Sequence, residues 1–280
     1  MPKPRVSVVH YLNTAPLVWG MLHGEQQGRF ELAFSTPAQC AGDLRHGRVD
    51  VGIIPAIEYQ RLEDAQIIPG LSIASKAPVR SVLIFSKLPL AHVQSVAMDE
   101  SSRTSVALTT ILLRRFYGRD FQAAPHAPDA AAMLERHDAA LVIGDPALAY
   151  RGSVPYTYDL ASEWKKFTGL PFVFALWVGR APADLAACCA DFAASRDFGL
   201  AHLGEIAAER GPKLGMSARE AELYLRDSID YSLDEDNLRG LSLFYKLAHE
   251  LGLIGENRAL HFAGVECAAA VHSQASTLSF

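Results

Sequence analysis

Short apolar runs and amphipathic stretches alternate through the first two thirds of the chain, and one order of them occurs twice. Val6-Ser7-Val8-Val9-His10 reads as a strand, Tyr11 to Thr14 as a polar turn, and Ala15 to about His23 as a helix. A second helix is expected over Pro37 to His46, stopped at Gly47, and an apolar strand over Val51 to Ile54 ends at Pro55. The order then returns. Ser95 to Met98 is a strand, Asp99 to Arg103 a polar turn, and Thr104 to Tyr117 a strongly periodic helix. Pro128 to Arg136 reads as another helix, and Ala140 to Ile143 as a buried strand closed by Gly144-Asp145-Pro146. Short apolar strands alternating with helices indicate parallel β-α units, and two such sets in tandem indicate two similar α/β lobes.

Two extended runs join the sets. Arg80 to Ser86, with Val82-Leu83-Ile84-Phe85 at its centre, is expected to cross from lobe to lobe, and Phe172 to Val178 to return. After Pro182 the pattern is helical only, over 183–198, 200–210, 217–230 and 234–252. Ser217 with Glu220 matches a capping box, and Asp234 suits the cap of the last helix. The tail beyond Ala268 has no clear period. The expected division is one lobe from 1–84 and 175–280, a second from 85–174, and a ligand cleft between them. An α/β chain with two strand crossovers and a helical C-terminal third has the plan of a type II periplasmic-binding-protein-like fold.

Composition narrows the functional classes. The chain has 280 residues, 50% hydrophobic and 20% charged, with a formal net charge of −5. That balance fits a folded two-lobed protein and argues against a nucleic-acid partner, which favours a basic face. The N-terminal apolar run is shorter than a secretory signal, and nothing approaches the ~18 apolar residues of a membrane span, so a cytoplasmic location is expected. Cys40, Cys188, Cys189 and Cys267 show no C-x-x-C spacing and read as reduced, packing residues, and the ten His form no metal-binding motif. No metal or organic cofactor is expected.

In open parallel sheets, ligands bind beyond the carboxyl ends of the strands, where loops meet helix N-termini. Four segments satisfy this: Asn13-Thr14, Pro55-Ala56-Ile57, Ser101 to Ser105, and Gly144-Asp145. Arg80-Ser81 is a fifth, because a crossover must run along the cleft floor. Ser101-Ser102-Arg103-Thr104-Ser105 reads equally as ordinary N-capping or as a carboxylate or phosphate site, in which free N–H groups are joined by hydroxyls and an Arg. The Asn13 amide suits a carboxylate or hydroxyl ligand, and also a turn. Ser81 lacks a G-x-S-x-G setting and a His placed to activate it, so a hydrolase triad has no support. Asp145 before Pro146 reads as a cap or a cleft residue, and Glu58 faces cleft or solvent. Trp164, Phe172 and Phe174 fit core packing better than a pocket wall.

Several of these segments stand inside longer motifs. Tyr11-Leu12-Asn13-Thr14-Ala15-Pro16-Leu17, Asp50-Val51-Gly52-Ile53-Ile54-Pro55-Ala56-Ile57-Glu58-Tyr59, Ser102-Arg103-Thr104-Ser105 and Ile143-Gly144-Asp145-Pro146-Ala147-Leu148 occur in that order. Asp159-Leu160-Ala161-Ser162-Glu163-Trp164 and Thr168-Gly169-Leu170-Pro171-Phe172 follow. Together they resemble the chorismate dehydratase family of the futalosine route to menaquinone. The resemblance implies a binding-protein fold that has become an enzyme, removing water from chorismate to give 3-(1-carboxyvinyloxy)benzoate without a metal or cofactor. Within that reading, Asn13 and Ser81 are the expected catalytic residues, orienting the substrate's own enolpyruvyl carboxylate as base and assisting departure of the hydroxyl. Ser102, Arg103, Thr104 and Ser105 are expected to hold one carboxylate. Pro55, Ala56 and Ile57 would give backbone contacts from the other lobe, and Thr14, Arg80, Gly144 and Asp145 complete the binding set.

Two rivals share the fold. A sister enzyme making 1,4-dihydroxy-6-naphthoate carries a His base where the second lobe's strand ends, and Gly144 holds that place here. A solute-binding protein uses the same anion chemistry, so the fold does not choose; the expected lack of an export signal or lipidated Cys argues against it. The expected partner is a small molecule, with no nucleic acid or membrane, and the oligomeric state stays open.

Overall fold

The computed structural model describes residues 3–180 and 184–264; Cys267 and the tail beyond Ala268 lie outside them. The first lobe opens with β1 (Arg5–Val9), a tight 3-10 turn over Leu12–Thr14, α1 (Ala15–His23), β2 (Glu31–Ser35), α2 (Pro37–Arg45), β3 (Val51–Pro55), α3 (Ala56–Tyr59) and β4 (Ala65–Ser75). The second lobe follows as β5 (Val82–Ser86), β6 (Ser95–Asp99), α4 (Thr104–Ile111), β7 (Gln122–His126), α5 (Ala130–Arg136), β8 (Ala139–Ile143), α6 (Gly144–Ala149), β9 (Tyr156–Asp159) and α7 (Leu160–Thr168). The chain returns through β10 (Phe172–Arg180) and ends in α8 (Leu185–Ala201), α9 (Leu203–Arg210), α10 (Ala218–Asp227) and α11 (Glu235–Glu250).

The two sheets have matching orders, β2-β1-β3-β10-β4 and β7-β6-β8-β5-β9. In each, three parallel strands are continued by an antiparallel one that sits beside the third. The doubled pattern of the sequence is therefore a doubled sheet. β5 belongs whole to the second sheet and β10 whole to the first, so the two crossings are the segments 76–81 and 169–171, and the divisions at 84/85 and 174/175 fall inside strands.

Local chemistry accounts for most elements. β3 and β8 are buried at every position, as strands covered on both faces must be. Thr36 and Gln39 form a capping box with Pro37 at the first helical position of α2, and Ser217 with Glu220 does the same for α10. The Asp234 side chain caps α11 by accepting from Asn237 N–H at 2.9 Å. Helix 104–117 is α-helical only to Ile111 and continues as wider π-type turns over Leu112–Phe116.

One buried apolar cluster runs through both lobes, joining Val6, Ile53 and Phe172 to Ile84, Leu141 and Ile143. Trp164 is its seam: fully buried on α7, it packs edge-on against Phe172 and Phe244 and donates its indole N–H to Pro171 O at 3.1 Å. Truncating it to Ala would cost about 3–5 kcal/mol. The C-terminal third is docked by close backbone approach. A Cβ on Gly199 of α8 would lie 2.0 Å from Pro16 O, and Ser195 Oγ sits between Leu17 O (2.9 Å) and Met21 N (3.1 Å) of α1.

Candidate active site

The loops beyond the carboxyl ends of β1 and β3 meet those beyond β6 and β8 across the gap between the sheets. They enclose an inner cavity. Tyr11, Asn13, Thr14 and Pro55 border it from the first lobe, Ser102, Thr104, Ser105 and Gly144 from the second, and Ile73, Val79, Val82 and Phe174 among others form its apolar wall. Its volume is about 60 Å³. Outside it an open vestibule of about 770 Å³ is bordered by His10, Thr36, Gln39, Glu100, Ser101, Arg103 and Asp145. Tyr11 borders both spaces.

The lobes are joined across the cleft by hydrogen bonds. Leu12 N–H donates to Asp145 Oδ1 at 2.8 Å, Ile57 N–H to Thr104 Oγ1 at 3.2 Å, and Tyr11 Oη lies 3.3 Å from Ser101 Oγ. Gly144 N–H donates to Ser81 O at 2.7 Å. Gly144 has φ +63°, and a Cβ there would sit 2.4 Å from the Tyr11 ring. A side chain at this position is excluded twice, by left-handed backbone and by the ring.

Burial sets the protonation of the site. The Tyr11 phenol is pushed up to about 12, by burial first and then by Asp99 and Asp145, against the Ser101 hydrogen bond. It is a neutral group at physiological pH. Asp99, fully buried at the end of β6, accepts from Ser101 N–H (2.9 Å), Ser101 Oγ–H (2.6 Å) and Ile143 N–H (3.2 Å). Its pKa is raised by burial against those donors, and that of Asp145 is raised by burial against Leu12 N–H.

Of the residues expected from the sequence, Asn13, Thr14, Pro55, Ser102, Thr104, Ser105 and Gly144 border the inner cavity. Ser102 Oγ accepts from Ser105 N–H at 3.3 Å, which sets the first turn of α4. Ile57 reaches the cleft through its N–H to Thr104, whereas Ala56 lies buried behind, its carbonyl accepting from Tyr245 Oη at 2.6 Å. Arg103 and Asp145 stand at the vestibule. Arg80 is exposed, with φ +62° and its N–H donating to Asp159 Oδ2 at 2.7 Å. Ser81 is fully buried between the cavity-wall residues Val79 and Val82, and its hydroxyl accepts from Tyr224 Oη at 2.8 Å. Glu58 faces neither cleft nor solvent: it is buried and paired with Arg45 and Arg61. Phe174 borders the cavity, while Trp164 and Phe172 are core.

Tyr11, Asp99 and Tyr224 were not singled out from the sequence. Asp99 had a signal, an Asp ending an apolar strand two residues before a Ser, the pattern of an Asx turn. Tyr224 had none, because α10 reads as an ordinary amphipathic helix. Among the described residues, no three His, Cys, Asp or Glu are grouped to hold a metal ion, and no helix is long and apolar enough to cross a membrane.

Comparison with known proteins decides the family. A model described as menaquinone biosynthesis matches residues 4–250. The chain belongs to the menaquinone biosynthesis family. Among proteins similar to this family member, the chorismate dehydratase of Thermus thermophilus is 31% identical over 269 residues, which cover 87% of this chain and 93% of that one. The chorismate dehydratase of Campylobacter jejuni is 30% identical over 172 residues, covering 60% and 63%. Solved structures extend the likeness in fold. A protein from Archaeoglobus fulgidus superposes with a TM-score of 0.73 at 18% identity, covering 90% of this chain and 98% of that one. The periplasmic aliphatic sulphonate binding protein of Escherichia coli does so with 0.64 at 15%, covering 99% of each. The two-lobed periplasmic-binding-protein-like architecture expected from the strand pattern is thus the fold of this family member.

Proposed function

We propose that this chain eliminates water from chorismate to give 3-(1-carboxyvinyloxy)benzoate. One observation carries the reading: in a chain 31% identical to a chorismate dehydratase across most of both lengths, hydroxyl and amide side chains from the two lobes converge on an otherwise apolar cavity. The proton removed is on the ring carbon bearing the enolpyruvyl ether, vinylogous to the ring carboxylate. Its loss gives an extended enolate. The electrons then expel the neighbouring hydroxyl, which leaves as water, and the ring becomes aromatic. Aromatisation supplies the driving force, so the protein's task is to orient the substrate and stabilise developing charge.

No carboxylate, imidazole or amine side chain borders the inner cavity among the described residues. That supports the substrate's enolpyruvyl carboxylate as the base. In this reading the start of α4, with Ser102, Thr104 and Ser105, holds the ring carboxylate, Asn13 orients the enolpyruvyl group and Ser81 assists the departing hydroxyl. Clefts for small molecules usually span about 300–1,000 Å³, and a cavity of about 60 Å³ is smaller than that, so in this reading the lobes part to admit the substrate. We assign that motion to the crossings 76–81 and 169–171, with Arg80, Arg103 and Asp145 acting at the rim. A cytoplasmic location and a small-molecule partner belong to the same reading.

The test is to mix the purified protein with chorismate and follow the product by mass spectrometry. A species lighter by one water with the ultraviolet absorption of a benzoate is expected. Tight binding without that product would instead favour a binding module. Conversion of a cyclic futalosine derivative would favour the sister reaction, against which the crowded Gly144 already argues.

A further inference from the structure

The helical C-terminal third reaches the back of this site's wall through one side chain. Tyr224 lies on α10, fully buried, and donates its hydroxyl hydrogen to Ser81 Oγ at 2.8 Å. One phenol therefore ties α10 to the crossover residue to which departure of the hydroxyl was assigned. The same Ser81 is tied to the second lobe by Gly144 N–H. Three parts of the molecule meet at its backbone and hydroxyl.

The direction of the bond matters more than its existence. A serine hydroxyl has one hydrogen and two acceptor positions. With Tyr224 occupying an acceptor position, the Ser81 hydrogen remains free to be given away. Its partner within the protein is Val79 O at 3.4 Å, long for an O–H···O bond, so that hydrogen is only weakly held. Burial keeps the phenol protonated, raised further above its ordinary range by nearby Asp145. It is a permanent donor.

We propose that Tyr224 is a positioning residue for the elimination: its hydroxyl holds Ser81 as a donor toward the substrate's departing hydroxyl. The inference rests on the chorismate reading. It predicts that Tyr224→Phe, which keeps the ring and its packing, lowers kcat about 10- to 100-fold and changes KM less than about threefold. In a double-mutant cycle the Tyr224→Phe/Ser81→Ala enzyme should be no slower than Ser81→Ala alone, because both remove one interaction. If Tyr224→Phe did not fold, a fluorinated tyrosine at 224 would serve. By lowering the phenol pKa into the range of a pH titration it should give kcat an alkaline fall that the parent lacks. Turnover within twofold of the parent for Tyr224→Phe, additive losses in the double variant, or a fluorotyrosine pH profile identical to the parent's would overturn the inference while leaving the chorismate reading intact. Parent-like turnover in both Asn13→Ala and Ser81→Ala would instead sink the assignment on which it rests.

Discussion

In the first lobe β1 ends at Val9; in the second the matching strand β6 ends at Asp99, and this exchange changes how the loop beyond is held. Asp99 collects Ser101 N–H, Ser101 Oγ–H and Ile143 N–H, tying the loop after β6 to the end of β8 within one lobe. The loop after β1 folds on backbone bonds, Thr14 N–H to Tyr11 O and His10 N–H to Ser35 O, and sends Leu12 N–H across the cleft. The reciprocal crossing is Ile57 N–H to Thr104. In both, the first lobe gives a backbone N–H and the second receives it on a side chain. A side-chain acceptor can be released without disturbing secondary structure. The turn after β6 is thus preset by Asp99 within its own lobe, while the loop after β1 is tied to the opposite lobe.

The largest test of that difference is at the helix starts after β3 and β8, where Ala56 and Gly144 correspond. Gly144→Ala forces an alanine into left-handed backbone and drives its Cβ into the Tyr11 ring. The expected loss is about 2–5 kcal/mol, read as a lower denaturation midpoint, with turnover falling as Tyr11 is displaced. Ala56→Gly should cost only about 1 kcal/mol. Next is Asp99→Ala, which strands three buried donors and should cost about 2–3 kcal/mol. Hydrogen exchange should quicken at Ser101 and Ile143 far more than at Leu12. Equal loss at all three amides would mean that the second lobe is not internally preset.

Much of this arrangement was legible in the sequence, for physical reasons. β3 and β8 are continuous apolar runs because both faces are covered, and the caps of α2, α10 and α11 rest on local hydrogen bonds that neighbours in sequence can make. β2 was missed because it is an edge strand with Glu31 and Phe34 both exposed. β4 was missed because Pro69-Gly70 interrupts it, Gly70 at φ +72°, where the pairing with β10 shifts register. In the site, loops after strands announced Asn13 and Ser102. Tyr224 could not be found that way, since its partner Ser81 is 143 residues distant. Only the fold brings them together.

A smaller effect is expected at the neutral crossing. Thr104→Val keeps shape but removes the acceptor for Ile57 N–H. The closed form should lose about 1 kcal/mol, a factor of about five in the open-to-closed balance. Faster exchange of the Ile57 amide and a larger average radius by small-angle scattering would report it, and no change in either would place the closing contact elsewhere.

The smallest expected effect lies at the charged crossing, and its sign separates the lobes. Burial raises the Asp145 pKa, Leu12 N–H only partly opposing it, so the native protein holds that proton more tightly than the unfolded chain. Stability contributed by this group is complete below the ordinary carboxylate pKa of about 3.9 and declines as pH rises through the raised value. Asp50 in the first lobe behaves oppositely. Its pKa is lowered, first by the side-chain hydrogen bond from Arg5, so its contribution is present above the ordinary value and is lost on acidification. Asp145→Asn keeps an acceptor for Leu12 N–H but cannot ionise. Its stability relative to the parent should therefore improve as pH rises from about 4, by less than about 1 kcal/mol, whereas Asp50→Asn should worsen over the range just below. Urea denaturation of both variants across pH 3 to 7 would decide it. Parallel shifts would show that cleft and periphery are solvated alike, and that closure does not desolvate Asp145.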